Sequence, residues 1–233
     1  MTEKEKEDIL IKAKTFFRNR IASNHQQNTR KLKSLKNFNI NPFTAKYLAQ
    51  FTFGNSNPES IAKVLLYPRI LGTSISTTFG TQLQYFCNEV LSSYASTTSG
   101  IDIEFIDTID GRKKFCQVKA GPTTINHDDV TTIKNHFRDI RNLARTNHLD
   151  LRITDCIVGV FMELKKIFVN HINESMKTIL FMLVLNSGNA LQVIANYFDL
   201  INAFADVANE IDSSDLINNT IQQLSKEIAN ANK

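Results

Sequence analysis

Two short runs of alternating apolar and polar residues, 101–109 and 113–120, meet at Asp110-Gly111. Asp-Gly between alternating runs is a strong β-hairpin signal, because a tight turn needs residues that tolerate positive φ. A two-residue turn sets Ile109 against Arg112. Counting back in twos then puts Asp102 opposite Lys119 and Glu104 opposite Gln117, so four polar side chains share one face. The other face carries Ile101, Ile103, Phe105 and Val118 and suits burial against a helix. An acid, an amide and a lysine converging on an otherwise apolar hairpin form the first candidate site.

Two readings of that face follow from the residues. One is a cross-strand Asp102–Lys119 ion pair in solvent, which contributes little to stability. The other is a divalent-metal site. Magnesium takes hard oxygen ligands and keeps several waters, so one or two carboxylates with a carbonyl oxygen can hold it beside a phosphate. A neighbouring lysine can then orient or deprotonate the attacking water.

Periodicity along the chain predicts the remaining elements. Residues 4–22 read as a helix with Ile9, Leu10, Ala13, Phe16, Phe17 and Ile21 at helical spacing. The polar stretch 23–30 reads as a loop. Asn41-Pro42 and Asn57-Pro58 each set a capping residue before a proline suited to a first helical position. Residues 72–78 read as a Ser/Thr-rich linker before a helix over 79–92. Gly121-Pro122 breaks the strand, and Asn126 or Asp128 caps a helix to about Thr146. Its apolar stripe is Val130, Ile133, Phe137, Ile140 and Ala144, with a basic stripe of Lys134, Arg138, Arg141 and Arg145. Strands are expected near 153–162 and 178–186. The tail from Asn189 reads as helical, with Leu191, Ile194, Phe198, Ile201, Ala205 and Ala208 inward. The fold class is α/β (α+β), a mixed sheet flanked by helices with a helical N-terminal extension.

Charge is distributed unevenly. Residues 9–58 contain no acid, while Lys12, Lys14, Arg18, Arg20, Arg30, Lys31, Lys33, Lys36 and Lys46 are all basic. Asp199, Asp206, Glu210, Asp212, Asp215 and Glu227 lie near the C-terminus. Such asymmetry gives a positive surface able to attract a polyanion. Hydrophobic content of 42% argues against disorder. Cys87, Cys116 and Cys156 are widely spaced in apolar segments, as buried thiols are, and the histidines have no metal-ligand spacing. No apolar run is long enough to span a bilayer, and the charged N-terminus is unlike a secretory signal, so a cytoplasmic protein is expected.

Asp102, the hairpin and Gln117-Val118-Lys119 together resemble the active-site motif of the PD-(D/E)XK nuclease superfamily. There an Asp opens one strand and an acid-X-Lys triplet lies on the next. The following A-G-P-T-T-I-N, with N-P-F at 41–43 and T-F-G at 78–80, is similar to a group of type II restriction endonucleases, among them enzymes that cut interrupted GG/CC sites. The resemblance covers roughly residues 40 to 165. It implies a restriction-endonuclease-like catalytic core over 76–233 and a basic helical extension over 1–75 for DNA binding or dimerisation. It also implies Mg2+ as cofactor, with Asp102 as a metal ligand and Lys119 as the catalytic lysine.

Gln117 occupies the acid position of the triplet and departs from it. An amide oxygen can coordinate a hard cation but brings no charge, so another carboxylate is expected to help. Glu104 is the first candidate, across from Gln117 in the inferred register. Glu89 is the second, on the helix where relatives carry an acid and this chain has Gln84. DNA contacts are expected from Thr123, Thr124 and Asn126 and from Arg30, Lys31, Lys33 and Lys36. The resulting expectation is a homodimeric, magnesium-dependent endonuclease acting on double-stranded DNA. The alternatives are a structure-specific or repair nuclease of the same superfamily and a DNA-binding protein without catalysis.

Overall fold

The computed structural model describes residues 2–91, 94–107, 110–120, 127–160, 190–211 and 213–231. Its helices are α1 (Glu3–Phe16), α2 (Ser23–Lys31), α3 (Pro42–Phe53), α4 (Pro58–Pro68), α5 (Ile75–Val90), α6 (His127–Thr146), α7 (Ala190–Glu210) and α8 (Ser214–Ala231). The strands β1 (Tyr94–Ala95), β2 (Ile103–Ile106), β3 (Lys113–Lys119) and β4 (Cys156–Val160) form one sheet in sequence order. β1, β2 and β3 are antiparallel, while β4 joins β3 in parallel. A parallel neighbour needs a long crossover, and α6 lies within it. The fold is therefore α+β with a small mixed sheet and a largely helical N-terminal part, as expected of a restriction-endonuclease-like domain. The chain forms two compact units, 1–16 with 80–204 and 17–79 with 205–233.

In the first unit, α6 packs on one face of the sheet. Ile133, Phe137 and Ile140 bury against Ile101, Cys156 and Val158, with Phe115 partly buried beside them. The helix thus uses its expected apolar stripe, and Lys134, Arg138, Arg141 and Arg145 are exposed. The helix begins at His127, so Asp128 lies in its first turn. Toward the other face of the sheet, a methyl group added at Gly80 of α5 would touch Ala120 at 3.6 Å. Cys87 of α5 is near enough to Cys116 to oppose its ionisation, second to burial, which raises both thiols.

The hairpin exists, but its register differs from the expectation. Ile103 pairs with Cys116, Glu104 with Phe115, Phe105 with Lys114 and Ile106 with Lys113. The Asp107 N–H donates to the Arg112 carbonyl at 2.9 Å, which replaces the expected pairing of Arg112 with Ile109. Gly111, just before it, has a left-handed φ of +67°. A slip of two keeps every side chain on its face but moves each partner along the strand.

An ionic cluster closes the turn end of the hairpin. The Lys114 Nζ donates to Asp110 at 2.5 Å and to Asp155 at 2.9 Å. Arg112 grips both oxygens of Asp155 through Nε, at 3.0 and 3.1 Å, and donates through Nη1 to Asp150 at 2.9 Å. Burial alone would push the Asp155 carboxyl up, but the bonds from Arg112, the Arg152 N–H and Lys114 hold it far below the usual carboxylate range. Burial likewise opposes the charge on Lys114, and its bonds to Asp110 and Asp155 leave the ammonium raised. This cluster ties β3 to the short 3-10 turn (Ile153–Asp155) that enters β4.

The second unit is built on α3, α4 and α8. Leu66, Ile70, Ile221, Leu224 and Ile228 form its centre with Ala49 and Ala62. Each aliphatic side chain removed from water there contributes about 1.5–3 kcal/mol. Both Asn-Pro starts behave as expected. Asn41 accepts from the N–H groups of Phe43 and Thr44, and Asn57 from that of Ser60.

Two other expectations are corrected. Residues 23–31 are helical, since their polar side chains find fixed partners. His25 bonds the Ile70 carbonyl at 2.8 Å, and buried Thr29 bonds that of His25. Residues 69–74 form a π-helical stretch that continues into α5 at Ile75. Pro68, at the end of α4, directly precedes the π-helical stretch.

The tail is helical but splits between α7 and α8, and α7 buries Leu200, Ala203 and Val207 in place of Ile201, Ala205 and Ala208. The tail is apolar around a wide arc, so periodicity left the inward side open by one position. The strand expected at 178–186 lies outside the described residues.

Candidate active site

Asp102 sits one residue before β2, and hydrogen bonds at its N–H, its carbonyl and its carboxylate fix it. Its N–H donates to the Cys116 carbonyl at 3.0 Å, and its carbonyl accepts from the Gln84 amide of α5 at 2.6 Å. Its Oδ2 accepts the Val118 N–H at 2.6 Å. Burial raises the carboxyl above its ordinary range, against the lowering influence of the Val118 N–H, Lys119 and His136. A carboxylate held in this way would be relieved by a cation.

Extending the observed pairing by one step sets Asp102 beside Gln117, with Lys119 two residues further along β3. These three side chains occupy the face expected for them. Glu104 is displaced instead. It pairs with Phe115 and not with Gln117, so the premise that placed it beside the amide is corrected. Its carboxylate accepts from the Ser96 hydroxyl at 2.6 Å and is ion-paired with Lys113. Glu89 is exposed on α5, about 140° around the helix from Gln84. Thr123, Thr124 and Asn126 lie outside the described residues.

α6 adds two residues that the sequence did not single out. Asp129 approaches Lys119 Nζ at 3.4 Å, and His136, two turns later, brings Nδ1 to 3.1 Å from Gln117 Nε2. His136 also packs against Gly100, where a Cβ would come within 2.3 Å of the ring. Glycine is required there twice over, since the backbone has φ +78°. With its nitrogen turned to His136, the Gln117 Oε1 is buried and has no partner. Such an atom costs about 1–3 kcal/mol when left unmet.

A type II restriction endonuclease family model, that of EcoO109I, matches residues 9–174. The chain belongs to that family. No curated protein matches it. Site-specific cleavage of DNA is accordingly the activity that the geometry has to serve, and the EcoO109I-family match contains Asp102, Gln117 and Lys119 together with much of the basic N-terminal third.

The oxygen-rich donors Asp102 and Gln117 fit a hard divalent cation. One contributes a carboxylate disfavoured by burial, the other an amide oxygen lacking any bond. Among the described residues no three His, Cys, Asp or Glu side chains gather into a complete cage.

In the second unit, Arg30, Lys31 and Lys36 are exposed and Lys33 is half-buried. Lys31 shares a cleft of about 390 Å³ with Asn28, Asn37, Arg69 and Thr73. The acidic tail neutralises part of the basic set, since Glu210 pairs with Arg18. Glu227 accepts from the Leu35 N–H and the Ser34 hydroxyl. No described helix is long and apolar enough to cross a membrane.

Proposed function

We propose that the chain is a magnesium-dependent endonuclease of the PD-(D/E)XK type, cutting both strands of a specific duplex site in the cytoplasm as a homodimer. The observation that carries this reading is the unpartnered Gln117 Oε1 beside the half-buried carboxylate of Asp102, with Lys119 on the same strand face. Magnesium, when bound by Asp102 and Gln117, supplies Lewis acidity toward a phosphate oxygen and lowers the pKa of a bound water. Lys119 Nζ, steadied by Asp129, is the group that holds the attacking water and donates to the scissile phosphate. Asp102 keeps its position through the Val118 N–H, which occupies Oδ2, and Oδ1 is the oxygen assigned to the metal.

Glu104 is a weaker source of the charge that Gln117 lacks, because Ser96 and Lys113 already engage its carboxylate. Arg30, Lys31, Lys33 and Lys36 are assigned to backbone phosphates, with Arg69 joining Lys31 across their cleft. Thr123, Thr124 and Asn126 keep their assignment to the DNA. A two-fold symmetric site calls for two active sites related by the same symmetry, hence a dimer of this chain.

Plasmid DNA digested with and without magnesium tests the reading. Discrete fragments that form only with the metal are expected. Cutting that is independent of metal, or a smear without defined ends, overturns it.

A further inference from the structure

We propose that His136 is the positioning residue that makes Gln117 usable as a metal ligand. A carboxylate presents an acceptor oxygen whichever way it turns, but an amide has one acceptor end and one donor end. A glutamine in a ligand position must therefore be oriented, where an acid need not be. His136 Nδ1 lies 3.1 Å from Gln117 Nε2, and an unprotonated Nδ1 accepts from that nitrogen. The nitrogen is thereby held toward α6, and Oε1 becomes the free end, buried and without a partner. Gly100 has no side chain where the imidazole packs, with ring atoms 2.3–2.5 Å from where a Cβ would stand. The departure from an acid and the histidine on α6 are in this view one device, and the inference rests on the metal-dependent reading above.

Titration of the DNA-free protein with Mn2+ by calorimetry tests it. His136→Ala should weaken binding by about tenfold or more, as loss of a residue orienting a ligand commonly does. His136→Asn, whose Oδ1 can accept where Nδ1 did, should stay within a few-fold of wild type. With Gln117→Glu as background, His136→Ala should change binding little, because a carboxylate needs no orientation. In cleavage assays the metal concentration at half-maximal rate should rise for His136→Ala while the rate at saturating metal stays near wild type. Unchanged Mn2+ binding in His136→Ala, or an equal loss in both backgrounds, overturns the role of His136 alone. A wild-type protein that binds no Mn2+ and cuts without metal overturns the metal reading, and this inference with it.

A separate observation concerns α3, whose polarity is inverted. Ala45 and Ala49 are its buried residues, while Phe43, Tyr47 and Phe51, at i, i+4 and i+8, are 86%, 65% and 77% exposed. Tyr47 and Phe51 stack with ring centroids 6.0 Å apart. We infer that this stripe is the contact between two copies of the chain. Each aromatic can bury about 150–250 Å². Three of them at these exposures, with exposed Ile40 and Leu48, supply more than half of the roughly 800 Å² per partner of a stable interface. Lys46 is the single charged residue of α3, so two copies meet with little like-charge repulsion.

This inference rests on the homodimer reading, and sedimentation equilibrium tests both. Wild type should sediment at twice 26.4 kDa, and the double variant Phe43→Ser, Phe51→Ser as a folded monomer by circular dichroism. A double variant that remains dimeric, whether or not it loses duplex affinity, overturns the assignment of the stripe. A wild type that is monomeric and fully active overturns the dimer reading as well.

Discussion

The two ends of one hairpin treat their carboxylates in opposite ways. At the turn end, Asp155 is 1% exposed, and Arg112, Lys114 and the Arg152 N–H meet its oxygens, so the ionised form is strongly favoured. At the open end, Asp102 is disfavoured as a carboxylate by burial, and Gln117 beside it has an oxygen with no partner. The first arrangement is complete and leaves nothing for a ligand to satisfy. The second is incomplete in the absence of a cation, which is what a site built to bind one requires. The pattern of satisfaction, more than the residue types, separates the structural cluster from the candidate site.

The sharpest break between the ends should come from Lys119→Ala. Cleavage should fall by about a hundredfold or more, with duplex binding and thermal stability near wild type, because the role proposed for the lysine lies mainly in the transition state. Rates near wild type in single-turnover assays would remove Lys119 from the chemistry.

Asp155→Asn should act on stability. It leaves buried Lys114 and Arg112 short of a countercharge, and losses of about 3–5 kcal/mol are typical when one member of a buried pair is removed. Denaturant unfolding measures this, and a loss under about 1 kcal/mol would mean that the cluster is not closed as described.

The pH dependence follows from the same contrast. Asp155 is held below its unfolded pKa, so its contribution is complete above about pH 4 and is lost as pH falls through the lower folded value. Wild type should therefore lose stability below about pH 4 more steeply than Asp155→Asn.

A smaller effect is expected in the second unit. Neutralising Lys31, Lys33 and Lys36 together should weaken binding to all duplexes about equally, and reduce the log–log salt slope by about 0.9 for each phosphate that no longer meets a lysine. An unchanged slope would assign these lysines to solvent.

Much of the candidate site was legible in local sequence, and what was missed came from distant partners. Asp110-Gly111 marked the hairpin, and alternation put Asp102, Gln117 and Lys119 on one face. The closure at Asp107 and Arg112 shifted the register by two, which alternation cannot detect because it preserves the faces. Lys113-Lys114 reads as two solvated lysines, whereas Lys114 is buried against Asp110 and against Asp155, 41 positions away. His136 lies in a helix rich in polar residues, so nothing local distinguished it from its solvated neighbours. One signal was present, since Gly100 stands at the head of β2 and Gln117 departs from an acid. The Asn-Pro helix starts were readable because a cap and its proline interact within four residues. The helix at 23–31 was not, because its polar side chains are satisfied by Ile70 and Ser213.

In the proposed reading Asp102 is held ready for a cation at a cost to the metal-free fold, whereas Asp155 supports the fold. Thermal unfolding of metal-free Asp102→Asn at neutral pH tests it most directly. Asn can still accept the Val118 N–H while shedding a charge that burial disfavours. A melting temperature above wild type is expected, together with loss of magnesium-dependent cleavage. A melting temperature below wild type, comparable to that of Asp155→Asn, would contradict it.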